Sequence, residues 1–292
     1  MELKHIATRA GRLSSFLLGE MKLSYALMNK LKWGDSLQVN GLPRRTNYAV
    51  KPGDTICVIM DEPAPDYPAE QGELEILYED AYILAVDKPA GMLIHPSRSR
   101  NTGTLANLVA GYYQQTGQNS AFHPLTRLDR DTFGVVLLGK NAYIHTLLQQ
   151  AQVQKTYFAL TWGVPPVTEG VIDAPIARRP LPSLLREIRE DGKPSITEYR
   201  VLEQRGNLCK LALRPVTGRT HQLRLHCAHM GFPILGDPQY GTEESLQVSR
   251  NLGFSYQQLC AGVLELSHPI TGEAITIRSR LDVLLPAADG NY

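Results

Sequence analysis

Apolar and polar positions follow two different periods along this chain, and the changes of period divide it into a short N-terminal part and a longer C-terminal part. Tyr25-Ala26-Leu27-Met28-Asn29-Lys30-Leu31 spaces its apolar residues for one face of a helix, and Gly34-Asp35-Ser36 ends that pattern. In Leu37-Gln38-Val39-Asn40-Gly41-Leu42 the spacing shortens to alternation and runs into Asn-Gly, a strong hairpin signal. Val50 to Val58 reads as a Pro-Gly turn and a strand, so residues 1–62 are expected to form a small α/β domain. Residues 63–73 are rich in Pro and acidic side chains, a composition that predicts an extended linker and leaves the small domain room to move.

Residues 74–292 are expected to form one larger domain. Leu74–Tyr78 and Tyr82–Val86 read as strands, the second leading through Asp87-Lys88 to a turn at Pro89-Ala90-Gly91. A helix from Thr104 to about Tyr113, a strand over 133–138 and a helix capped by Asn141 follow. A strand over 157–162 then gives way to a long irregular stretch, 163–194, that carries repeated Pro and Arg178, Arg179, Arg186, Arg189 and Lys193. Ile196–Gln204 and Leu208–Arg214 form a hairpin pattern with Cys209, Leu211 and Leu213 on one face. Thr220 is placed to cap a helix ending before Gly231, and strands over 262–266 and 274–277 close the chain. Strands outnumber helices and connections are short, which predicts an α+β domain on a mixed, mainly antiparallel sheet with flanking helices and loops.

Composition narrows the function classes. At 292 residues and 43% hydrophobic content the chain can bury a sizeable core, and no run of about 18 apolar residues suggests a membrane span. Glu2 and Lys4 interrupt the N-terminus, which does not read as a signal peptide; a cytoplasmic monomer is the expectation. Cys57, Cys209, Cys227 and Cys260 lack metal-site spacing and read as buried thiols. The net charge of +1 hides an uneven distribution: residues 1–60 carry nine Lys or Arg against four acids, and 173–230 carry eleven against six. Basic faces of this kind suit a polyanion.

The chemistry concentrates in His123-Pro124-Leu125-Thr126-Arg127-Leu128-Asp129-Arg130-Asp131-Thr132-Phe133-Gly134, which runs straight into apolar Val135–Leu138. Charged side chains are rarely buried unless paired, so two carboxylates and two guanidiniums before a buried strand need a reason. Taken alone, the stretch also fits a turn whose Arg127 forms a solvated ion pair with Asp129 or Asp131. Three further stretches are Asp87-Lys88-Pro89-Ala90-Gly91, Lys155-Thr156-Tyr157 and Thr217-Gly218-Arg219-Thr220-His221-Gln222-Leu223-Arg224-Leu225-His226. In this order the four resemble the RluA-type pseudouridine synthases, whose first motif reads approximately H-R-L-D-x-x-T-S-G; here Thr126 stands in place of His and Phe133 in place of Ser.

The resemblance implies a nucleophilic Asp129, an Arg224 that pairs with it, and a Tyr157 set against the target base. It implies an Arg127 that fills the gap left by a flipped uridine, and RNA contacts from Lys155, Arg219, Thr220 and His221. No cofactor and no metal is implied, because the reaction rearranges the base on its sugar without redox or group transfer. The partner implied is structured RNA, ribosomal or transfer. The N-terminal part resembles the small RNA-binding domain shared with ribosomal protein S-four, with Lys22, Lys30, Lys32, Arg44 and Arg45 as phosphate contacts. A zinc site from His221, His226, His229 and Cys227 is disfavoured, since His221 and His226 are five apart and not on one helical face. Asp129-Arg130-Asp131-Thr132 also resembles the D-x-D motif of aspartate-nucleophile phosphatases, with Thr one place too early. The second rival is an RNA-binding protein without catalysis.

Overall fold

The computed structural model describes residues 2–63, 65–97, 100–180, 183 and 185–286. Its N-terminal elements are β1 (Glu2–Ile6), β2 (Gly11–Arg12), the short α1 (Leu13–Ser15) continuing into a wide turn at Phe16–Glu20, and α2 (Tyr25–Leu31). Then come β3 (Leu37–Val39), β4 (Leu42–Pro43), β5 (Ala49–Val50) and β6 (Thr55–Ile59). Four of these strands form a sheet in the order β1-β6-β3-β4, and β2 pairs with β5. Asn40 and Gly41, at φ 52° and 75°, supply the left-handed backbone that a two-residue hairpin turn requires.

The C-terminal elements are β7 (Ile76–Glu79), β8 (Ile83–Lys88), α3 (Leu105–Gln115), β9 (His123–Pro124), β10 (Phe133–Gly139) and α4 (Ala142–Gln150). They continue with β11 (Gln154–Trp162), β12 (Glu169–Asp173), β13 (Ile176–Arg178), β14 (Arg186–Ile188), β15 (Ile196–Arg205) and β16 (Leu208–Pro215). The last are α5 (Gln222–His229), α6 (Glu243–Asn251), β17 (Leu259–Ser267) and β18 (Ala274–Arg278). Ten strands make one sheet in the order β12-β15-β16-β11-β17-β10-β8-β7, with β18 on β17 and β9 on β10. Only β10 and β17 pair in parallel among the described residues, so the sheet is mixed and mainly antiparallel, as the spacing predicts.

Several local expectations are corrected. The stretch 163–194 contains three strands, too short and too sparsely apolar to show as alternation. Helix α6 was not anticipated because few of its residues are apolar, although Thr242 before Glu243 and Glu244 is an N-cap signal; its hydroxyl accepts from the Ser245 amide. Thr220 does not cap α5. His221, at φ 58°, precedes the helix, and buried Gln222 organises the turn: its side chain accepts from Thr217 Oγ1 and the Arg219 amide and donates to Ile196 O and Thr197 Oγ1.

The strand alternation sorts the core onto two faces of the large sheet. On one face Leu84, Val86, Val136 and Leu138 pack with α3, and Cys209, Leu211 and Leu213 pack with α5. On the other, Ile83, Ala85, Val135 and Leu137 pack with α4 and with Phe16, Leu17 and Leu31 of the N-terminal part in one continuous cluster. Residues 65–73 are laid across α3: Asn107 donates to Pro68 O, and the Glu70 carboxylate accepts from the Gly103 amide. Gly111 lets this segment approach the helix, because a Cβ there would stand 1.9 Å from the Glu70 carbonyl oxygen.

Two features hold the loop that precedes β10. Gly134, at φ 105°, lies so close to β17 that a Cβ would stand 2.5 Å from the Ala261 oxygen. Fully buried Lys88 donates to the carbonyls of Pro89, Met92 and Arg130, each at 2.9 Å, tying the 89–92 loop to the 129–132 turn. Burial pulls its pKa down to about 8, while the charges of Asp131 and Asp129 act in the opposite sense.

Two predictions follow from these contacts. Gly134→Ala, which adds both strain and a backbone clash, is expected to destabilise the fold by about 2–4 kcal/mol; an unchanged urea midpoint would contradict the close approach. For Lys88, the unfolded chain holds the proton to about pH 10.5 and the folded chain only to about 8, so folding releases it between those values. Stability should therefore gain on the order of 3 kcal/mol as pH rises through that window. Urea unfolding of Lys88→Met over the same range should lack that gain, and a parallel gain in the variant would place the titration elsewhere.

Candidate active site

The first motif forms a turn, and its carboxylates pair with Arg130 and Arg224 rather than with Arg127. The Thr132 amide donates to Asp129 O at 3.2 Å, and the Thr132 hydroxyl takes a hydrogen bond from buried Gln257. Arg130 pairs with its neighbour Asp131 at 2.8 Å and 3.0 Å, beside a cavity that Asp129 also lines. Asp129 is turned towards α5, with 30% of its side chain exposed. Leu128 is buried with α3, and Phe133, at the Ser position of the motif, is buried with Leu160 and Val248 on the opposite face of the sheet. That substitution therefore changes packing under the turn rather than the surface Asp129 faces. Thr126, at the His position, is buried and its hydroxyl has no hydrogen-bond partner among the described residues.

Arg224 reaches Asp129 from α5. Its Nη1 donates to Asp129 Oδ2 at 2.9 Å, while Nε and Nη2 donate to the two oxygens of Asp237, each at 2.7 Å. Nη2 also donates to Gln239 Oε1 at 2.8 Å, and the guanidinium lies over Tyr240, 5.2 Å from the ring centroid. The bidentate pairing of the Arg224 fork thus goes to Asp237, which is 1% exposed and also accepts from the Gln239 amide, and Asp129 receives a single hydrogen bond. The geometry explains the difference: a fork of parallel N–H groups fits one carboxylate, and the remaining Nη1 is directed at the second. Burial alone opposes a charge on Arg224, but hydrogen bonds and charge from Asp237, then from Asp129, outweigh it and raise its pKa. Asp129 Oδ1 takes no hydrogen bond from any described residue.

His221 completes this side. Its Nε2 is 3.9 Å from Asp129 Oδ2, and its Nδ1 is 2.9 Å from Tyr240 Oη, which also accepts from the Arg186 amide. Burial lowers the pKa of His221; Arg224 and Arg186 add to the shift, and Asp129 and Asp237 oppose it. His226 is a structural residue. Ala174 O can only accept, so Nε2 carries the proton, and Nδ1 accepts from the Thr197 hydroxyl. Both ring nitrogens are thereby occupied, and the described residues contain no cluster suited to a metal ion.

Tyr157 enters through strand geometry. The register of β11 against β17 shifts between Thr156 and Tyr157, which sets Tyr157 opposite Ala261; Ala261 in turn lies opposite Gly134 of β10. The strand carrying Tyr157 is therefore two strand spacings, roughly 10 Å, from the one that follows Asp129. The ring packs against both the α3-side and the α5-side clusters, at the seam between them. Burial pushes its pKa up to about 12, and the charge of Asp129 adds to the shift. Lys155, two residues before it, is half-buried, and burial lowers its pKa.

Asp129, Arg130, Asp131, His221, Arg224 and Gln239 are among the residues that line a cavity of about 330 Å³, in the range of ligand pockets. Tyr157 is not among its lining residues. Arg127 is exposed beside His95, whose pKa is lowered by burial and then by the Arg127 charge. Arg219 and Thr220 are exposed on the loop before α5, and neither lines the cavity; Arg219 Nε donates to Pro194 O at 3.3 Å. Asp237 and Gln239 escaped the sequence reading, because Gly236-Asp237-Pro238 has the composition of any turn.

Comparison with known proteins places this arrangement. Residues 82–229 match the family model described as RNA pseudouridylate synthase. An uncharacterized RNA pseudouridine synthase of Bacillus subtilis, YlyB, is 38% identical over 251 residues, covering 83% of this chain and 81% of that protein. Ribosomal large subunit pseudouridine synthase D of Xanthomonas campestris is 34% identical over 281 residues, covering 91% and 84%. Among solved structures, human RNA pseudouridylate synthase domain containing 1 superposes with a TM-score of 0.59 at 26% identity, covering 76% of this chain and 89% of that one. The chain belongs to the RluA family of RNA pseudouridine synthases, enzymes that isomerise uridine to pseudouridine in RNA.

Proposed function

We propose that Asp129 is the nucleophile of this reaction, acting on a uridine flipped out of structured ribosomal RNA. The observation that carries the reading is the 2.9 Å contact from Arg224 Nη1 to Asp129 Oδ2, made by a guanidinium already fixed on Asp237. One carboxylate oxygen is held and the other is left to attack. Oδ1 bonds to the sugar C1′ and the C1′–N1 bond breaks, its electron pair leaving with the uracil. After the base has turned, C5 bonds to C1′, the carboxylate departs, C5 loses its proton and N1 gains one. Tyr157 keeps its phenolic proton at neutral pH, so it supports the base as a stacking surface and as a proton carrier.

Exposed Arg127 is the side chain proposed to occupy the vacated stack, with Lys155, Arg219, Thr220 and His221 contacting the RNA around it. Ribosomal RNA is favoured by the relatives named as large-subunit synthases, and transfer RNA is the second reading. Residues 1–62 are proposed as an S-four-like RNA-binding domain, joined through 63–73 to a catalytic domain over 74–292. The protein is proposed to act in the cytoplasm as a monomer without metal; none of its described helices is long and apolar enough to cross a membrane.

The test is release of label from RNA tritiated at uracil C5. Asp129→Ala is expected to lower release by at least about a thousandfold with the fold intact. Release within tenfold of the unaltered protein would remove Asp129 from its role. A variant that binds RNA but shares its lack of turnover with the unaltered protein would leave the non-catalytic reading. Asp237→Asn removes one of the acceptors that orient Arg224 and is expected to slow single-turnover release by about 10–100-fold with little change in RNA affinity. An unchanged rate would show that Arg224 needs no such anchor.

A further inference from the structure

Trp33 follows α2 and is 73% exposed, the highest exposure of any large hydrophobic side chain among the described residues. Two cations attend its ring: Lys32 Nζ lies 5.0 Å from it, and Arg45 Cζ 5.1 Å. Arg45 is held there, because its Nη1 donates at 2.7 Å to Lys32 O at the C-terminal end of α2. Neither cation forms an ion pair with a described residue. Three of the four acids of residues 1–60 are engaged elsewhere: Glu20 with His5 and Arg9, Glu2 with Lys4, and Asp54 with Asn40 and the Lys51 amide; the fourth, Asp35, forms no ion pair with either cation.

An aromatic face left in water beside two uncompensated cations fits a polyanion whose units carry flat rings. We infer that Trp33, Lys32 and Arg45 form a binding site for an unpaired RNA nucleotide away from the cavity of Asp129, the base stacking on the indole and the flanking phosphates meeting the two cations. This rests on the reading of the chain as an RNA-modifying enzyme and specifies how a second segment of that RNA is held. A protein partner that seats its own ring or guanidinium on the indole is the other outcome, and the binding experiment separates the two.

The probe is a fluorescein-labelled oligouridylate of about a dozen nucleotides, used with the full chain. Trp33 and Trp162 are the two tryptophans, so a Trp162→Phe protein reports on Trp33 alone. The oligouridylate is expected to quench Trp33 fluorescence, and Asp129→Ala should leave the quenching unchanged, which separates this site from turnover. Trp33→Ala is expected to weaken oligouridylate binding about tenfold and Trp33→Phe far less. Lys32→Ala and Arg45→Ala should each weaken it and flatten its salt dependence. Unquenched fluorescence, or undiminished affinity in Trp33→Ala, would overturn the site. So would a Trp33→Ala protein that loses self-association but binds the oligouridylate normally, since the indole would then serve a protein contact.

Discussion

One guanidinium stands between two carboxylates, and most of what surrounds the cavity serves to keep it there. Arg224 is 6% exposed at its side chain, and Asp237 beside it is almost wholly buried. A buried ion pair gains little stability for a fold, because desolvation cancels most of the attraction. Its value here is directional. Asp237 takes Nε and Nη2 of the fork, Gln239 shares Nη2 and Tyr240 covers the flat face, so Nη1 is left to point away from Asp237. Asp129 lies in that direction.

The sheet supplies the rest by bringing distant segments to one seam. Tyr157 packs against the cores under both α3 and α5, and the turn carrying Asp129 enters β10 next to β17, which also borders β11. Gly134 permits the close approach of β10 to β17 and Lys88 fastens the turn through three carbonyls. Neither touches Asp129 through a hydrogen bond, yet both determine where its backbone lies. The motif Asp87-Lys88-Pro89 thus has a physical reason to accompany the aspartate turn.

What could be read in the amino-acid order was the periodic part. Alternation in Leu208–Arg214 placed Cys209, Leu211 and Leu213 on one face, and Asn141 caps α4 through the Ile144 amide. The four motifs led to Asp129 and Arg224, which the fold brings into contact across 95 residues of chain. Elements without periodicity were not legible: α6 has too few apolar residues, and β12 to β14 are short. The turn before α5 misled because Thr220 has the chemistry of a cap, whereas the backbone at His221 is left-handed and Gln222 takes over. Asp237 could not be found at all, since its importance lies in an ion pair that only the folded chain reveals.

The N-terminal strands and the ten-stranded sheet share one hydrophobic cluster, and the segment between them is strapped to α3 through Asn107 and Gly103. Tyr143 of α4 adds a hydrogen bond to Met21 O at 2.6 Å. The small sheet is therefore packed directly against the large one. If the small sheet holds part of the RNA, the spacing between that part and the turn of Asp129 would be read along with the nucleotides themselves, in the manner of a gauge.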